Sequence, residues 1–449
     1  MQVSVIGAGY VGLVSGVCLA HKGHDVVCVD MDQQKVDQIN RGQSPIYEEG
    51  LDDLLQQTLP DKFRATTDLI KAVQGSDITL IAVGTPFAND TNTIDLTQIK
   101  DCAQQIGEAL KNKKSYHVIV VKSTVVPGTT DSIVLEKLQQ GSGKNAGLDF
   151  GLGMNPEFLR EGCAVADFLN PDRIVMGGLD EKSIDVQQKL YDIFPEVDKV
   201  RTNNKTAEMI KYSSNTLLAT MISFSNEIAN LSAVIGDVDV KDVMDGVKLD
   251  KRFSPILENG ERIYPGMLTY LEAGCGFGGS CFPKDLQAIV AYADNVGQQM
   301  PVLRSVIATN ALQPMELIKL LQQKFPNIKG VKIAVLGLAF KAGTNDMRES
   351  PSIPVVNAIV GLGAEVKVFD PVAQQEAQQI FGSEITYCQS LEATVKDVDV
   401  VMVLTHWPQF DKLDKILSSQ ASQPLVIDGR RQLEPSKFKD YLGIGGGTN

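Results

Sequence analysis

The sequence predicts an α/β protein in which two doubly wound domains, each built on a parallel sheet, are joined by a helical central domain. Two observations support this fold class. Short apolar runs alternate with helix-like periodicity near both ends of the chain. Between them, apolar residues recur at three- and four-residue steps over residues 203–236, which predicts one long helix. We expect domains at residues 1–200, 201–325 and 326–449.

Length, charge and cysteine usage limit the class of protein. The chain has 449 residues, of which 43% are hydrophobic and 22% charged, as is typical of a soluble protein with two or three domains. It has no uninterrupted run of 18 apolar residues and no basic leader, so we expect a cytoplasmic protein without membrane contact. The net charge of −13 argues against a nucleic-acid partner. Seven scattered cysteines without a CxxC or HExxH motif predict neither a disulfide framework nor a metal site.

The first strand, turn and helix predict a dinucleotide-binding site of the Rossmann type. The apolar run at residues 3–6 leads into Gly7-Ala8-Gly9-Tyr10-Val11-Gly12, and the next strand ends at Asp30, 18 positions after Gly12. The glycines would let a pyrophosphate lie on the backbone at the helix N-terminus. Asp30 would accept hydrogen bonds from the adenosine ribose and repel a 2′-phosphate, which favours NAD over NADP. The nearby Lys35 weakens that preference.

Two later apolar runs, at residues 78–83 and 118–121, end in polar or turn-forming segments, and a third run lies at 174–176. The segments are Gly84-Thr85-Pro86 and Lys122-Ser123-Thr124. Because ligands bind at the carboxyl ends of parallel strands, we expect both segments to face the cofactor. Turn or cap chemistry is the alternative role for Thr85 and Thr124.

Two carboxylates follow in Asn155-Pro156-Glu157-Phe158-Leu159-Arg160-Glu161. If Pro156 starts a helix, Glu157 and Glu161 are one turn apart and share a face. Such a pair is either part of a solvated surface or a general acid/base pair. Its place after a strand end favours a functional role.

The periodic stretch at residues 203–236 predicts a helix of about 30 residues and roughly 45 Å, long enough for a dimer interface. Lys211 and Asn215 form an i,i+4 pair near its start, for which an ordinary helix surface is the alternative. Helical character is predicted to continue through residues 238–260 and 286–322.

A glycine-rich loop with reactive side chains then follows, Gly274-Cys275-Gly276-Phe277-Gly278-Gly279-Ser280-Cys281-Phe282-Pro283-Lys284-Asp285. Four glycines in six residues indicate a close approach to the backbone or positive φ angles. The thiol, the lysine and the carboxylate within five residues predict that Cys281 is a nucleophile, with Lys284 favouring its thiolate. Cys275 is interpreted as a structural thiol.

After residue 326 the alternation of strands and helices begins again. Strands are predicted from residue 331 and at residues 366–370, 398–404 and 425–428. The second of these ends in Asp370, as the earlier strand ends in Asp30, but no GxGxxG motif is present. We therefore expect a nucleotide-linked substrate here rather than a second dinucleotide. Lys341, Arg348 and Arg430 are interpreted as anion or base contacts, with solvated surface charge as the alternative.

Together these motifs resemble those of the UDP-glucose/GDP-mannose dehydrogenase family, over nearly the whole chain. The matching segments are Gly7-Ala8-Gly9-Tyr10-Val11-Gly12, Val83-Gly84-Thr85-Pro86, Lys122-Ser123-Thr124, Asn155-Pro156-Glu157-Phe158-Leu159-Arg160-Glu161, Lys211 with Asn215, residues 276–285, Lys341, and Asp346-Met347-Arg348-Glu349-Ser350.

The resemblance implies an NAD-dependent, four-electron oxidation of a nucleotide-sugar C6 alcohol to a carboxylate. Two NAD would be reduced while Cys281 holds the carbon, first as a thiohemiacetal and then as a thioester. The residues around Cys281 favour UDP-glucose, with GDP-mannose or a UDP-N-acetylhexosamine as alternatives. A two-electron dehydrogenase of the 6-phosphogluconate or 3-hydroxyacid type would not need the thiol, and neither would a non-catalytic nucleotide sensor.

The resemblance also implies a role for each matched residue. Lys211 and Asn215 would stabilise an oxyanion, whereas Asp285 and a water held by Glu157 and Thr124 would transfer protons, with the base in each step left open. The implied catalytic residues are Cys281, Lys211, Asn215, Asp285, Glu157 and Thr124. The implied cofactor-binding residues are Gly7, Gly9, Tyr10, Val11, Gly12, Asp30, Lys35, Gly84, Thr85, Pro86, Thr124, Glu161, Lys284 and Arg348. The implied substrate-binding residues are Phe158, Leu159, Arg160, Glu161, Lys211, Asn215, Arg262, Phe277, Gly278, Cys281, Phe340, Lys341 and Arg430.

A homodimer through the long helix is also expected. In the family an arginine before the glycine loop reaches the substrate of the neighbouring subunit. Arg262 is the residue that we expect in this role, with Arg252 as the alternative because extra residues separate Arg262 from Cys281.

Overall fold

The computed structural model describes residues 1–88 and 93–446. The chain folds into two units, one formed by Met1–Ser214 with Asp294–Val296 and the other by Asn215–Ala293 with Gly297–Asn449. The three domain ranges expected from the sequence stay a prediction, because this division into two units does not test them.

The first unit contains an eight-stranded sheet with the order β10-β9-β8-β7-β4-β1-β2-β3. Its strands are β1 (Gln2–Ile6), β2 (Asp25–Val29), β3 (Phe63–Thr66), β4 (Ile78–Ile81), β7 (His117–Val121), β8 (Phe150–Met154), β9 (Arg173–Gly178) and β10 (Asp198–Thr202). A short antiparallel pair, β5 (Phe87–Ala88) and β6 (Thr93–Ile94), follows β4 in the chain. The inner order β3-β2-β1-β4 is that of a Rossmann fold.

Helices cover both faces of this sheet. They are α1 (Tyr10–His21), α2 (Gln33–Asn40), α3 (Leu51–Thr58), α4 (Leu69–Gln74), α5 (Thr97–Leu110), α6 (Leu135–Ser142), α7 (Ala164–Leu169) and α8 (Glu181–Leu190). On β7, Val118 and Val120 pack into one buried layer, whereas Ile119 and Val121 pack into the other. A strand that is buried on both faces is apolar throughout, which is why this run was visible in the sequence.

The direction of β9 differs from the prediction. The run at residues 174–176 was expected to continue a parallel sheet, but β9 runs antiparallel to β8 and parallel to β10. An apolar run does not encode strand direction, which depends on how the chain returns to the sheet. The first residue of β9, Arg173, therefore lies at the edge where β8 ends.

Strand β8 was not predicted from the sequence, because its apolar residues alternate with glycines. A Cβ atom on Gly153 would lie 2.3 Å from Gln187 Nε2, and one on Gly151 would lie 2.6 Å from Ser183 Oγ. The glycines are thus required by the packing of α8 against the sheet.

The long helix is confirmed as α9 (Asn204–Ile235), which has 32 residues. It begins in the first unit and continues into the second. By length and composition alone it could cross a membrane, a property that it shares with the core helices of soluble proteins.

The second unit contains a six-stranded parallel sheet with the order β13-β12-β11-β14-β15-β16, again that of a Rossmann fold. Its strands are β11 (Lys332–Leu336), β12 (Glu365–Phe369), β13 (Thr386–Tyr387), β14 (Val400–Val403), β15 (Leu425–Asp428) and β16 (Tyr441–Gly443). Its helices are α10 (Val240–Lys248), α11 (Phe282–Asn295), α12 (Pro301–Leu312), α13 (Met315–Lys324), α14 (Ser352–Gly361), α15 (Gln374–Phe381), α16 (Leu391–Thr394) and α17 (Leu413–Ser418). The fold class of two Rossmann-like domains and a helical region is confirmed. The helical prediction for residues 249–260 is wrong, because α10 ends at Lys248 and turns follow.

Candidate functional site

The glycine motif in the first unit forms a tight turn between β1 and α1. Gly7 has a φ of +104°, and a Cβ atom on Gly12 would lie 1.9 Å from the carbonyl oxygen of Gly7. Gly9, by contrast, has no heavy atom within 4 Å of the position its Cβ would take. This open space adjoins the N-terminus of α1, where backbone N–H groups favour an anion.

Asp30 lies next to this turn. Its Oδ2 atom accepts a hydrogen bond from the backbone N–H of Ala8 at 2.9 Å, and its Oδ1 atom accepts one from Asp32 at 3.0 Å. Asp32 in turn caps α2 by accepting hydrogen bonds from the N–H groups of Gln34 and Lys35. An open turn, a helix N-terminus and a carboxylate at the end of β2 together fit the pyrophosphate and ribose of NAD.

Tyr10 and Glu48 connect this turn to a second loop. The hydroxyl of Tyr10 donates to the carboxylate of Glu48, which also accepts the N–H groups of Gly162 and Ala164 at 2.7 Å. No role was predicted for Glu48, because its partners are distant in the chain and become neighbours only when the unit folds.

The loops after β4 and β7 meet, as their positions at strand ends predicted. Thr85 Oγ1 donates to the carbonyl oxygen of Thr124 at 2.7 Å, and Ser123 Oγ donates to that of Val83 at 2.7 Å. These hydrogen bonds are the turn chemistry considered as the alternative. A cofactor contact by Gly84, Thr85, Pro86 or Thr124 stays a prediction.

Glu157 forms a buried ion pair with Lys211. Lys211 Nζ donates to Glu157 Oε1 at 2.9 Å, and the side chains are 3% and 7% exposed. Burial alone would raise the pKa of Glu157, but Lys211, the N–H group of Leu159 and the more distant charge of Lys122 hold it below its usual value. The helix expected from Pro156 is wrong, since residues 155–160 form an irregular turn and a helix begins only at Ala164. Because Glu161 is buried as well, neither carboxylate belongs to a solvated surface.

A second buried lysine lies beside this pair. Lys122 Nζ donates to Asn155 Oδ1 at 2.8 Å, and the hydroxyl of Tyr191 donates to the same oxygen. Burial lowers the pKa of Lys122 to about 8, although the charge of Glu157 acts in the opposite direction. Lys122 was expected to face the cofactor as part of the segment Lys122-Ser123-Thr124 after β7, but no catalytic or binding role was predicted for it individually.

Two arginines make further contacts with or from the loop that carries Glu157. The guanidinium carbon of Arg173 lies 3.8 Å from the ring centroid of Phe158, and Arg173 also donates to Ser214 Oγ at 3.2 Å. Arg160 forms a two-pronged ion pair with Asp167. The contacts of Phe158, Leu159, Arg160 and Glu161 with a substrate stay predictions. Arg173 could not be found from the sequence, because it reaches this loop only through the antiparallel direction of β9.

In the second unit, Cys281 immediately precedes α11. The N–H group of Asp285 donates to the carbonyl oxygen of Cys281 at 2.9 Å, which starts the helix. A helix N-terminus favours negative charge nearby, as a thiolate nucleophile requires. Asp285 Oδ2 accepts from Asn215 Nδ2 at 2.6 Å, and Oδ1 accepts from Lys284 Nζ at 2.6 Å. The structure thus brings four of the predicted site residues of this unit together.

The glycines of the Cys281 loop are explained by packing within the unit. Gly276 and Gly279 have φ angles of +102° and +85°. A Cβ atom on Gly278 would lie 2.2 Å from the carbonyl oxygen of Glu349, and one on Gly279 would lie 2.8 Å from the ring of Phe340. Phe277 is buried with its ring edge-on to that of Phe282, at 5.8 Å between centroids.

Three predicted cationic contacts have partners within the protein. Arg430 donates to the carbonyl oxygens of Leu404, Gly276 and Phe340, and so ties the glycine loop to the second sheet. The guanidinium of Arg348 pairs with Asp346, and the backbone carbonyl oxygen of Arg348 accepts the N–H of Gly279 at 2.8 Å. Lys341 Nζ lies 5.8 Å from the ring centroid of Phe340. Their roles toward substrate or cofactor stay predictions.

The two arginines considered for the neighbouring subunit differ in exposure. Arg262 donates to the carbonyl oxygens of Leu249 and Ser254 at 2.8 Å. Arg252 pairs with Asp250, and its side chain is 84% exposed. A contact of Arg262 with the substrate of a neighbouring subunit, with Arg252 as the alternative, stays a prediction.

Asp370 occupies in the second sheet the place of Asp30 in the first. Its carboxylate is fully buried and accepts four backbone N–H groups, those of Leu338, Ala339, Val372 and Ala373. Both of its oxygens therefore already accept hydrogen bonds from the protein, and the absence of a second dinucleotide there stays a prediction.

Family models match all three regions of the chain. The NAD binding domain of the UDP-glucose/GDP-mannose dehydrogenase family matches residues 1–195, its central domain 205–312 and its UDP binding domain 334–435. UDP-glucose 6-dehydrogenase TuaD of Bacillus subtilis is 40% identical over 447 residues, 98% of this chain and 92% of that protein. GDP-mannose 6-dehydrogenase of Pseudomonas syringae pv. tomato is 40% identical over 396 residues, 87% of this chain and 85% of that protein.

Solved structures agree with this assignment. A UDP-glucose dehydrogenase from the archaeon Pyrobaculum islandicum superimposes with a TM-score of 0.89 at 36% identity, covering 99% of this chain and 97% of that one. The NAD binding domain matched by residues 1–195 contains the open turn and Asp30. The chain therefore belongs to the UDP-glucose/GDP-mannose dehydrogenase family and is an NAD-dependent nucleotide-sugar dehydrogenase.

Proposed function

We propose that the protein oxidises UDP-glucose to UDP-glucuronate in two successive steps at C6, through a covalent bond to Cys281. The observation that carries this proposal is the position of Cys281 directly before α11, one helical turn from an Asp285 that both Asn215 and Lys284 hold. A thiol in such a position serves a reaction in which an aldehyde must be retained. The choice of UDP-glucose is supported by relatives of that activity, such as the one from Bacillus subtilis.

The chain's own groups supply the proton transfers and the covalent steps. When bound, NAD accepts the hydride that leaves C6 in each oxidation. Cys281 Sγ adds to the aldehyde carbon, and the resulting thiohemiacetal becomes a thioester in the second oxidation. Water then adds to the thioester carbon, and the carbon–sulfur bond breaks to give the carboxylate and the Cys281 thiol. The net reaction consumes one water and two NAD per sugar.

Lys211 and Asn215 supply donors for the oxyanion that forms at each stage. They lie four residues apart on α9, so both project from one side of that helix. Glu157 stays ionised at neutral pH because its pKa is lowered, so its carboxylate is available as a proton acceptor. In this proposal it orients the attacking water held with Thr124 and accepts a proton from it as the water adds to the thioester. Asp285 is the second proton acceptor that we propose, and it orients the amide of Asn215 through their 2.6 Å hydrogen bond.

GDP-mannose is the second substrate that we consider. The relative from Pseudomonas syringae acts, by its name, on this nucleotide sugar and is as similar in sequence over the part that aligns. A panel of UDP-glucose, GDP-mannose and a UDP-N-acetylhexosamine separates the three. We expect two NADH per UDP-glucose. One NADH, or none, would refute the four-electron reaction on this substrate.

Cys281→Ser tests the covalent step. We expect the variant to stop at the aldehyde level, with at most one NADH per sugar and no carboxylate product. Cys388→Ser, a thiol in the last α/β domain, is the matched control and should behave like the wild type. Full turnover of Cys281→Ser would contradict the mechanism.

We also propose a homodimer through α9. Leu217, Phe224 and Leu231 recur every seven residues, so they share one side of the helix, and they are 55%, 48% and 56% exposed. A stripe of exposed apolar residues marks a surface for association. Light scattering of the wild type should give twice the mass of the 48.7 kDa chain. Leu231→Glu should lower that mass toward a monomer, and an unchanged monomer in both proteins would refute the proposal.

A further inference from the structure

We propose that Lys122 is a positioning residue of this reaction, whose buried ammonium keeps Glu157 in its ionised form and fixes the turn on which Glu157 lies. The inference rests on the proposed roles of Glu157 and Lys211. It gives Lys122 a role beyond the expectation that its segment, Lys122-Ser123-Thr124, faces the cofactor.

Lys122 is anchored to the sheet at one end and to the Glu157 turn at the other. Its backbone N–H donates to the carbonyl oxygen of Ile81 at 2.8 Å, and its Nζ donates to Asn155 Oδ1 at 2.8 Å. Asn155 is held from two further sides, since its Nδ2 donates to the carbonyl oxygen of Val175 at 2.8 Å and Tyr191 donates to its Oδ1. Asn155 stands two residues before Glu157, so this hub determines where the turn begins.

The buried charge of Lys122 is not explained by an ion pair with a carboxylate. Its side chain is 4% exposed, and its described hydrogen-bond partner is an amide rather than a carboxylate. Burying an ammonium in this way costs free energy that a methionine of similar length would not cost. A buried charge that is retained despite this cost indicates a functional role. The nearest functional group is the Glu157–Lys211 pair.

The electrostatic direction supports the same role. Three ionisable groups face Lys122, namely Glu157 from the turn, Lys211 from α9 and, through Asn155, Tyr191. The positive charge of Lys122 helps to lower the pKa of Glu157. As pH rises through about 8, Lys122 loses this charge, and among the described residues Lys211 remains as the cation that lowers the pKa of Glu157.

The principal test compares the wild type with Lys122→Met over pH 6 to 10, with saturating NAD and sugar nucleotide. We expect kcat to fall about tenfold or more at pH 6.5. The KM for NAD, from a separate NAD titration, should stay within about twofold, because the described hydrogen bonds of Lys122 go to Asn155 and Ile81 rather than to the glycine turn. The ratio of the two kcat values should decline as pH rises through about 8, where the wild type also loses the charge. Asn155→Asp places a carboxylate beside Lys122 and so favours its charged form. In proteins that carry this change, the decline of the kcat ratio should therefore occur at higher pH.

Lys113→Met is the matched control. Lys113 Nζ donates to the carbonyl oxygens of Val73, Gln74 and Ser76, which is a structural role at the opposite end of the strands. Its replacement should lower thermal stability without a pH-dependent change in kcat. A kcat of Lys122→Met within twofold of the wild type at pH 6.5, or a ratio independent of pH, would overturn the proposal.

A second measurement is independent of turnover. The pKa of Lys122 lies below its usual value of 10.5 in the folded protein, so the unfolded chain binds its proton more tightly. The unfolding temperature of the wild type should therefore rise relative to that of Lys122→Met between pH 8 and pH 10.5. If no nucleotide sugar is oxidised, the proposed function fails, whereas a missing relative rise shows that Lys122 is not a buried ammonium and overturns only the present inference.

Discussion

Glu157 Oε1 and Lys211 Nζ lie 2.9 Å apart, and both side chains are almost completely removed from solvent. The two residues are 54 positions apart in the chain, on a turn after β8 and on α9. A buried ion pair rarely adds much net stability, because desolvation offsets the attraction, but it is expensive to break. A mutation of this pair should therefore affect both the stability of the first unit and its chemistry.

Replacing Glu157 by glutamine should leave the Lys211 ammonium buried without a counter-charge. We expect the free energy of unfolding to fall by about 3 kcal/mol, with activity lost as well. Urea unfolding measures the stability change. Lys241→Met, which breaks the exposed pair of Lys241 with Asp245, is the control and should cost less than about 1 kcal/mol. A loss for Glu157→Gln as small as that of the control would show that the pair is not buried in solution.

The same pair predicts a dependence of stability on pH. The folded-state pKa of Glu157 is lower than the value of 4.5 expected for the unfolded chain. The stability that this shift contributes is fully present above pH 4.5 and is lost as pH falls below it, through the folded-state pKa. The difference in urea midpoint between the wild type and Glu157→Gln should be constant from pH 7 to pH 5 and shrink toward pH 3. A constant difference down to pH 3 would contradict the lowered pKa.

Gly9→Ala should separate cofactor binding from folding. Gly9 has a φ of −75°, which alanine adopts easily, and the added methyl group meets no protein atom within 4 Å. It would instead fill the space that a pyrophosphate needs. We expect unchanged thermal stability and an affinity for NADH about tenfold weaker or more, measured by calorimetry.

Gly12→Ala is the informative comparison for that experiment. Its Cβ atom would lie 1.9 Å from the carbonyl oxygen of Gly7, so the turn itself must move. This variant should lose stability together with NADH affinity. Wild-type affinity in Gly9→Ala would argue against a pyrophosphate at this turn.

Gly278→Ala should displace the loop that carries Cys281. The new Cβ atom would lie 2.2 Å from the carbonyl oxygen of Glu349, and a backbone atom cannot move aside cheaply. We expect a lower unfolding temperature and a kcat lower by about tenfold or more, because the thiol shifts from its position before α11. Gly266→Ala, with no heavy atom within 4 Å of its Cβ position, is the control and should leave both quantities unchanged. Equal kcat values for the two variants would exclude this role of Gly278.

The sequence by itself determined the features that depend on neighbouring residues. The glycine turn with Asp30, the 32-residue helix α9 and the thiol, lysine and aspartate around Cys281 were all visible as local patterns. Each results from a short-range rule of backbone geometry, helix periodicity or side-chain chemistry. The local rule that Pro often starts a helix was wrong at Pro156. There the chain follows an irregular turn in which Glu157 is buried against Lys211.

Only the tertiary structure decided which distant residues meet. The antiparallel direction of β9 brings Arg173 to Phe158, and the fold brings Lys122 and Tyr191 to one oxygen of Asn155. Burial then lowers the pKa of Lys122 to about 8. Four backbone N–H groups that the fold places around Asp370 occupy its carboxylate oxygens. Solvent exclusion is a property of the assembled fold rather than of any segment, and therefore no local pattern encodes it.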